Sequence, residues 1–390
     1  MVTESNQQLP KKKKRRLLRL IVLLACLALF VVTAVFLIRD FTSGDSRILG
    51  FLSPRVTDIT TDEFNFSVGR DRVFAYIEDS VVSAGTLGVQ VLDTGGRETL
   101  RDSFRLARPA IVSSKDRCVA FDIGGSAVRV ISSSQILSSI EVTGAVVSAS
   151  INQNGWFCIV TQEGGGLKGS VTVYNRSGEV VFRVNLGSGY ILTAELSPDN
   201  KNLAILNLTD FGSRISFYNN IAVEKDEVDH QFDLRDELLI DIKYVSNKDV
   251  LAISTDSLYV ANINEGSEVL YGFSDKRLGG YTFDGDFIAI LIYDHGIGYQ
   301  GRIVTLLESG TLLGDMTSER EILSMSSVNN ILVILRNDGI AFYNEVLDEF
   351  PVSGGNASAA GASRALAISQ DVALATTDNS AIVIRLEEES

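Results

Sequence analysis

Short apolar runs, each introduced by a polar turn, recur along most of the chain. A clear example is SPDNKNLAIL, from Ser197 to Leu206. The same order of turn and apolar run is found in GRDRVFAYI, SKDRCVAFD, VSNKDVLAIS, DGDFIAIL, VNNILVIL and SQDVALAT. Several runs are apolar at consecutive positions, and they are too short for buried helices. They therefore predict strands that are covered on both faces.

A small residue marks the centre of most of these runs, and consecutive centres are 37 to 48 residues apart. A small side chain there lets neighbouring sheets approach, while the larger flanking residues fill the space between them. The aligned central residues are Ala75, Ala120, Cys158, Ala204, Ala252, Ala289, Val333 and Leu374.

Three further strand patterns accompany each aligned run. A second strand, such as SVTVYN, follows it and ends in Asn and Gly residues, which tolerate the positive φ of tight hairpins. A third strand comes after the turn, as in Glu179 to Leu186, and a fourth precedes the aligned run, as in Ile191 to Ser197. Four short antiparallel strands in about 43 residues, repeated, predict an all-β β-propeller. Eight repeats predict eight blades, or seven if the first repeat is an extension.

The last repeat ends near Leu386 and lacks an outer strand of its own. The segment RILGFLSPRV, Arg47 to Val56, precedes the first repeat. Because a propeller needs every sheet edge to be paired or protected, we expect this segment to complete the last blade and close the ring.

Charge and hydropathy divide the chain into two parts. Residues 1–39 carry eight basic side chains and one acidic one, a net charge of +7, whereas the whole chain carries −14 and the remainder therefore −21. The basic cluster adjoins the apolar segment Leu17–Ile38, which is long enough to span a bilayer and longer than the apolar region of a signal peptide. An acidic body would repel nucleic acid.

These features predict one uncleaved transmembrane α-helix that contacts the lipid bilayer through Leu17–Ile38. Because basic residues stay on the cytoplasmic side, the N-terminus is expected inside and the propeller outside the plasma membrane. The predicted organisation is a cytoplasmic tail over 1–16, a membrane helix over 17–39, a linker over 40–46 and an extracytoplasmic propeller over 47–390.

Residues that carry catalysis or metal binding are sparse. His230 and His295 are isolated, and no H-E-x-x-H or paired C-x-x-C is present. The glycine-rich Glu163–Gly169 lacks the spacing of a phosphate loop, and no G-x-S-x-G occurs. Asp284 and Asp286 read as turn residues. We therefore predict no catalytic residue, metal ligand or cofactor.

Cys118 and Cys158 fall on neighbouring repeats at non-equivalent positions. We expect them to be buried free thiols that pack as small apolar side chains.

Loop length is the most informative functional signal. Connections between the two inner strands of a repeat are tight in repeats two, five, seven and eight. They are longer in repeats one, three, four and six: Glu78–Gly88, Thr161–Ser170, Leu208–Arg214 and Tyr293–Gly301. Binding residues concentrate on variable loops over a rigid scaffold. The candidate ligand-binding loop is that of repeat six, with Tyr293, Asp294, His295 and Tyr299.

The phrases SPDNKNLAIL and VTVYNRSGEV resemble those of WD40-like and quinoprotein-like propellers, although Trp156 is the only Trp and the Gly-His and Trp-Asp dipeptides are absent. With its N-terminal segment, the chain resembles a family of membrane-anchored propellers of unknown function from Gram-positive bacteria. That resemblance implies no known activity. We expect a non-enzymatic binding or scaffold module for a protein, peptide or cell-envelope component on the loop-rich face. The alternatives are an enzyme that processes envelope polysaccharide or peptide, and a structural subunit of a membrane complex.

Overall fold

The computed structural model describes residues 57–223, 227–294, 300–350, 359 and 361–388. Strands in these ranges form eight antiparallel sheets, and at most junctions the first strand of one sheet lies beside the first strand of the next. The sheets are therefore blades around a central channel, with the first strand of each blade innermost. The prediction of an eight-bladed propeller is confirmed, and the first repeat belongs to a full blade.

Blades 1 to 4 each contain four consecutive strands. Their bounds are β2 Val73–Ile77, β3 Ser80–Gly85, β4 Gly88–Asp93 and β5 Glu98–Asp102; β6 Pro109–Ser113, β7 Cys118–Asp122, β8 Ala127–Ile131 and β9 Ile136–Glu141; β10 Ala145–Ile151, β11 Phe157–Gln162, β12 Gly169–Tyr174 and β13 Val180–Leu186; β14 Tyr190–Leu196, β15 Asn202–Thr209, β16 Gly212–Asn219 and β17 His230–Arg235.

Blades 5 to 8 follow the same plan, except that blade 7 has three strands within the described ranges and blade 8 takes its outer strand from the start of the propeller. Their bounds are β18 Leu239–Tyr244, β19 Asp249–Ser254, β20 Ser257–Asn262 and β21 Gly266–Gly272; β22 Lys276–Thr282, β23 Ile288–Asp294, β24 Gly301–Leu306 and β25 Leu312–Ser318; β26 Ile322–Val328, β27 Ile331–Arg336 and β28 Gly339–Asn344; β29 Arg364–Ala367, β30 Val372–Thr376, β31 Ser380–Glu388 and β1 Thr57–Asn65.

The core lies between the blades. Eight clusters of buried apolar side chains separate consecutive blades, and one of them joins blade 8 to blade 1. On β15, Leu203 and Ile205 face blade 3, whereas Ala204 and Leu206 face blade 5. Each strand is therefore apolar on both sides because each side packs against a different neighbour.

The aligned central residues lie on the second strand of blades 2 to 8, as predicted, but not all face the same way. Ala120 and Ala252 face the preceding blade, whereas Cys158, Ala204 and Ala289 face the following one. Because strand side chains alternate, a slip of one residue in the alignment exchanges the two faces.

The alignment of the first repeat is wrong by one strand. Ala75 lies on β2, the innermost strand, and the second strand of blade 1 is β3. The sequence of β3, SVVSAG, falls inside the predicted long loop Glu78–Gly88, yet all its residues are buried. Serine and glycine suggested a loop, but small side chains fit a strand enclosed between two sheets.

The ring closes between the two ends of the propeller, as expected, but through a different segment. Strand β1 pairs with β31 over nine residue pairs, from Thr57–Glu388 to Asn65–Ser380. The predicted closing segment, Arg47–Val56, lies outside the described residues, as do the predicted cytoplasmic tail, membrane helix and linker. Within the described ranges, no helix has the length and apolar character to cross a membrane.

The connections between the second and third strands differ from the predictions in blade 4 as well as in blade 1. Thr161–Ser170 contains a true loop over 163–168, but Leu208–Arg214 is mostly strand, and only Asp210 and Phe211 connect β15 to β16.

Cys118 and Cys158 are buried free thiols on neighbouring blades, as predicted. His230 begins the outer strand β17 and is exposed.

Candidate functional site

The innermost strands of five consecutive blades share an irregularity near their first residues. In β10, β14, β18, β22 and β26 the pairing with the second strand skips one residue, which is the mark of a β-bulge. The skipped residues are Val147, Leu192, Ile240, Gly279 and Leu323. Because all five strands begin at the same end of the channel, the bulges form an arc around one mouth. We call the face that contains this mouth the mouth face.

Most of the bulge residues are apolar and reach the surface. Ile240 is 41% exposed and Leu323 is 43% exposed. Val147 and Leu192 are partly buried against the neighbouring blades. A bulge adds a residue that has no partner in the hydrogen-bonded ladder between strands. The side chain of that residue therefore need not pack between two sheets.

In blade 6 an aromatic ring takes the place of the bulge side chain. A Cβ on Gly279 would lie 2.3 Å from Cε2 of Tyr293, so only glycine leaves room for the ring. Arg277 lies over the same ring, with its guanidinium carbon 4.8 Å from the centre of the Tyr293 ring. Val147, Leu192, Ile240, Tyr293 and Leu323 together are called the collar.

Further apolar residues lie outside the collar on the same face. Tyr190 begins β14 and pairs with Leu208, which places it beside the turn that carries Phe211. Phe211 is 70% exposed, and its backbone oxygen accepts a hydrogen bond from the amide of Asp236, two residues before exposed Leu238. The collar therefore continues into an apolar rim across blades 4 and 5.

Basic side chains lie over the rim aromatics. The Lys168 ammonium is 5.5 Å from the Tyr190 ring centre, and the Arg235 guanidinium carbon is 5.8 Å from that of Phe211. Cation–π contacts of this kind contribute about 0.5–1 kcal/mol at exposed sites and hold the ring in place.

The structure divides the predicted ligand-binding loop. Tyr293 and Asp294 are the last residues of β23, not loop residues; Tyr293 belongs to the collar and Asp294 pairs with Lys276. His295 and Tyr299 lie outside the described residues. Of the four predicted site residues, the structure therefore places one in the candidate site and one beside it.

Charged residues of blades 4 to 6 come together toward the end of the innermost strands that is opposite to the collar. Lys243 on β18 forms an ion pair with Asp284, at 3.3 Å between Nζ and Oδ1. The Tyr281 hydroxyl donates a hydrogen bond of 3.1 Å to Asp241. Glu195 on β14 interacts electrostatically with Lys243. These five residues, Glu195, Asp241, Lys243, Tyr281 and Asp284, are called the channel cluster.

Burial raises the pKa values of two carboxyl groups in this cluster, those of Glu195 and Asp241. Loss of solvation raises the pKa of Glu195 to about 7; the positive charge of Lys243 opposes this rise, and Asp241 and Asp284 add to it. Burial also raises the pKa of Asp241, against the hydrogen bonds it accepts from the Ile242 amide and Tyr281. The nearby Glu195 carboxylate raises the pKa of Lys243 most, so its ammonium stays charged.

Two hydrogen-bonding groups of the cluster region have no partner among the described residues. Glu195 accepts no hydrogen bond there, although Lys243 influences its charge. Tyr244 is buried in the core between blades 4 and 5, and its hydroxyl, which is near the charges of Asp199 and Glu195, also lacks a hydrogen-bond partner. A buried polar group without a partner is costly, so the Tyr244 hydroxyl indicates a place for a water molecule.

Other features of the described residues are less suited to binding. A cavity of about 660 Å³ between blades 6 and 7 is lined by charged groups that pair with one another, such as Arg320 with Asp338 and Arg336 with Glu349. No group of three or more His, Cys, Asp or Glu within the described ranges is arranged to hold a metal ion.

The sequence did not point to the channel cluster. Asp284 was predicted to be a turn residue, and it does lie in the β22–β23 connection, but its pairing with Lys243 crosses to another blade. The usable signal was the presence of Glu195, Asp241 and Lys243 within strands that are otherwise mostly apolar. A charged residue inside an innermost strand must face either the channel or a partner.

Solved structures share this fold at low sequence identity. The chain is similar to BamB from Moraxella catarrhalis, with 14% identity and a TM-score of 0.51 over 85% of this chain and 100% of that one. It is also similar to the C-terminal WD40 domain of Sif2, with 14% identity and a TM-score of 0.59 over 85% of this chain and 99% of that one. These likenesses support the predicted resemblance to WD40-like propellers at the level of the fold.

Comparison with curated protein sequences finds no match. One family model does match, over residues 59–349, which is most of the propeller. The chain therefore belongs to DUF5711, a family of unknown function.

Proposed function

We propose that this protein is a non-enzymatic scaffold that binds a partner protein on its mouth face, outside the plasma membrane. The observation that carries this proposal is the bulge repeated in five consecutive blades, which places apolar side chains around one channel mouth. Contiguous exposed apolar residues with a polar surround are typical of protein-interaction surfaces.

The composition of the mouth face supports a protein partner. Three aromatic rings on this face, those of Tyr190, Phe211 and Tyr293, lie beside basic side chains. Aromatic residues and arginine are enriched at protein interfaces and supply most of the energetically dominant contacts. A closed ring also holds these residues in place before binding, which reduces the entropy lost on association.

Capture of the partner with matched variants tests this function. The collar variant carries Ile240→Asp and Leu323→Asp. The control carries Val180→Asp and Val269→Asp, which change residues that are 59% and 55% exposed on outer strands. We expect a protein from the cells that produce this chain to be retained by the wild type and the control, and reduced at least tenfold with the collar variant. Equal retention by all three would contradict the proposal.

We also propose that Leu17–Ile38 anchors the propeller to the membrane, with residues 1–16 in the cytoplasm. Support comes from the basic cluster next to an apolar segment of membrane-spanning length. A membrane-impermeant maleimide applied to intact cells should label a Val180→Cys variant. It should label Gln7→Cys only after permeabilisation, and the reverse pattern would refute this orientation.

A hydrolase is the second candidate, because Glu195 has a pKa of about 7 and lies near Asp241. A carboxyl group with such a pKa suits general acid catalysis at neutral pH. In that case Glu195→Gln would abolish turnover of an envelope polysaccharide or peptide. A scaffold, in contrast, would show no turnover in either form.

A further inference from the structure

We propose that a cavity between blades 2 and 3 binds a small oxyanion of the phosphate type, either free phosphate or the phosphoryl group of a larger molecule. The cavity has a volume of about 280 Å³, and its polar lining includes Arg117, Arg176, Ser138 and Ser177. This site is separate from the surface of the proposed function.

The cavity lies at the end of the propeller that is opposite to the mouth face. Arg117 directly precedes β7, which starts beside the last residue of the innermost strand β6. Arg176 and Gly178 lie in the turn that follows β12, and β12 ends beside the start of β11. The start of β11 in turn lies beside the last residue of the innermost strand β10. The other wall of the cavity includes Ser138 on β9 of blade 2.

Positive charge exceeds negative charge around this cavity. Arg117 and Arg176 share one carboxylate, that of Asp116, whose Oδ2 lies 3.1 Å from Nη2 of Arg117 and also contacts Nη2 of Arg176. Although burial opposes it, hydrogen bonds from the two arginines hold the pKa of the Asp116 carboxyl below its usual value. The nearby carboxylates of Glu78 and Glu179 accept hydrogen bonds from other side chains and do not line the cavity. One positive charge of the arginine pair therefore remains uncompensated.

Arg117 is a buried cation in the wall of the cavity. Its side chain is only 8% exposed, and its Nη1 donates a hydrogen bond of 2.8 Å to the backbone oxygen of Arg176. Its Nε is also buried and has no hydrogen-bond partner among the described residues. A buried charge with an unused N–H group is costly, and an anion in the adjoining cavity would offset part of that cost through its charge.

Two glycines bring the donors of the site close together. A Cβ on Gly155 would lie 2.8 Å from Nη1 of Arg176 and 3.0 Å from Nε of Arg117, so both arginines lie against this glycine. A Cβ on Gly178 would lie 3.0 Å from the hydroxyl oxygen of Ser138. That hydroxyl makes no hydrogen bond within the described ranges, so it is available to donate to an anion.

A phosphate group fits these donors better than a carboxylate does. Guanidinium groups bind both kinds of oxyanion. Because a phosphate is tetrahedral, it presents oxygen atoms to Arg176 on one wall and to Ser138 on the other, whereas the two oxygen atoms of a carboxylate lie in one plane. The volume of about 280 Å³ is just below the usual range for drug-sized ligands, which suits a smaller group.

Isothermal titration calorimetry of the full-length chain with inorganic phosphate, glycerol 3-phosphate and acetate tests this inference. We expect phosphate to bind with a dissociation constant of about 1 mM or lower, and acetate to bind about tenfold more weakly. Tighter binding of glycerol 3-phosphate than of phosphate would identify the phosphoryl group of a larger molecule as the ligand. The reverse order would identify the free ion.

Two pairs of matched variants test the location of the site. Arg176→Gln should weaken phosphate binding about tenfold or more, whereas Arg183→Gln, another half-exposed and ion-paired arginine of blade 3, should not. Ser138→Asp should have the same effect without altering the arginine pair, because it places a negative charge in the cavity. Ser139→Asp, at the next residue of β9 and outside the cavity lining, is its control.

Absence of phosphate binding to the wild type would overturn the inference, and so would acetate binding as tight as that of phosphate. Equal phosphate binding within either pair of folded variants would also overturn it, because the ion would then bind elsewhere. Thermal unfolding of each variant shows whether it is folded, and the serine pair decides if Arg176→Gln is not. None of these results changes the expectation for partner capture, which depends on the collar at the opposite end.

Discussion

Gly279 and Tyr293 illustrate how single residues set the shape of the mouth face. The ring of Tyr293 occupies the space that a side chain on Gly279 would need, and Arg277 lies over the ring. The sequence identified Tyr293 as a candidate but placed it in a loop. The lack of a Cβ at Gly279 matters only because Tyr293 on the neighbouring strand β23 fills that space. The contact between the two residues could therefore not be predicted from their spacing in the sequence.

Gly279→Ala should lower the free energy of unfolding by about 1–3 kcal/mol, because the added Cβ would force the Tyr293 ring to move. Gly280→Ala is the matched control, since a Cβ at that position meets no atom within 4 Å. Urea denaturation of both variants checks this prediction. A loss as large for Gly280→Ala as for Gly279→Ala would mean that strand flexibility, and not the ring, is responsible.

Glu195→Gln should make stability less dependent on pH. The pKa of Glu195 is about 7 in the folded chain, whereas the ordinary pKa of a glutamate side chain is near 4.5. Between these values the folded state holds a proton that the unfolded state releases, so stability falls as pH rises through this window. From pH 5 to pH 8 the wild type should lose about 1–3 kcal/mol more than the variant. Urea unfolding at both pH values measures this difference, and parallel pH profiles would contradict it.

At the scale of strands, the collar arises from a repeated bulge and not from long loops. Hydrophobic patterning located most second strands correctly, because their two apolar faces are visible in the sequence. It could not show the bulges, since an extra Ile240 or Leu323 next to a buried residue looks like an ordinary apolar pair. The strand β3 was missed for a related reason, because serine and glycine within SVVSAG are typical of turns.

Collar residues should contribute little to folding. Ile240→Ala and Leu323→Ala should change the free energy of unfolding by less than about 0.5 kcal/mol, as expected for exposed side chains. Leu239→Ala, which truncates the fully buried neighbour of Ile240, should cost about 2–5 kcal/mol. Chemical denaturation of the three variants provides the comparison. A large loss for Ile240→Ala would assign the collar to the core and remove it as a binding surface.

At the scale of the molecule, the ring depends on the joining of its two ends. The sequence predicted that an N-terminal segment completes the last blade, because the last repeat lacked an outer strand. The segment is Thr57–Asn65, whose pairing with β31 carries Phe64 into the cluster between blades 8 and 1. The polar sequence TDITTDEFN gave a weak strand signal, and its role depends on a partner more than 300 residues away.

Phe64→Ala should therefore destabilise the whole ring by about 3–5 kcal/mol, since it leaves a cavity at the point of closure. Val180→Ala, on the exposed side of an outer strand, should cost less than about 0.5 kcal/mol. Thermal or urea unfolding followed by circular dichroism distinguishes the two. Equal stability of both variants would show that closure through β1 does not limit the stability of the propeller.

Photo-crosslinking in intact cells tests the central claim most directly, because it identifies the contact surface without disturbing the partner. A photoreactive amino acid is placed at Ile240, Tyr190 or Leu323 on the mouth face, and at Val180 or Val269 on outer strands. We predict that one partner protein is crosslinked at the three mouth-face positions and at neither outer position. Crosslinking to that partner from the outer strands alone would contradict the assignment of the mouth face as the binding surface.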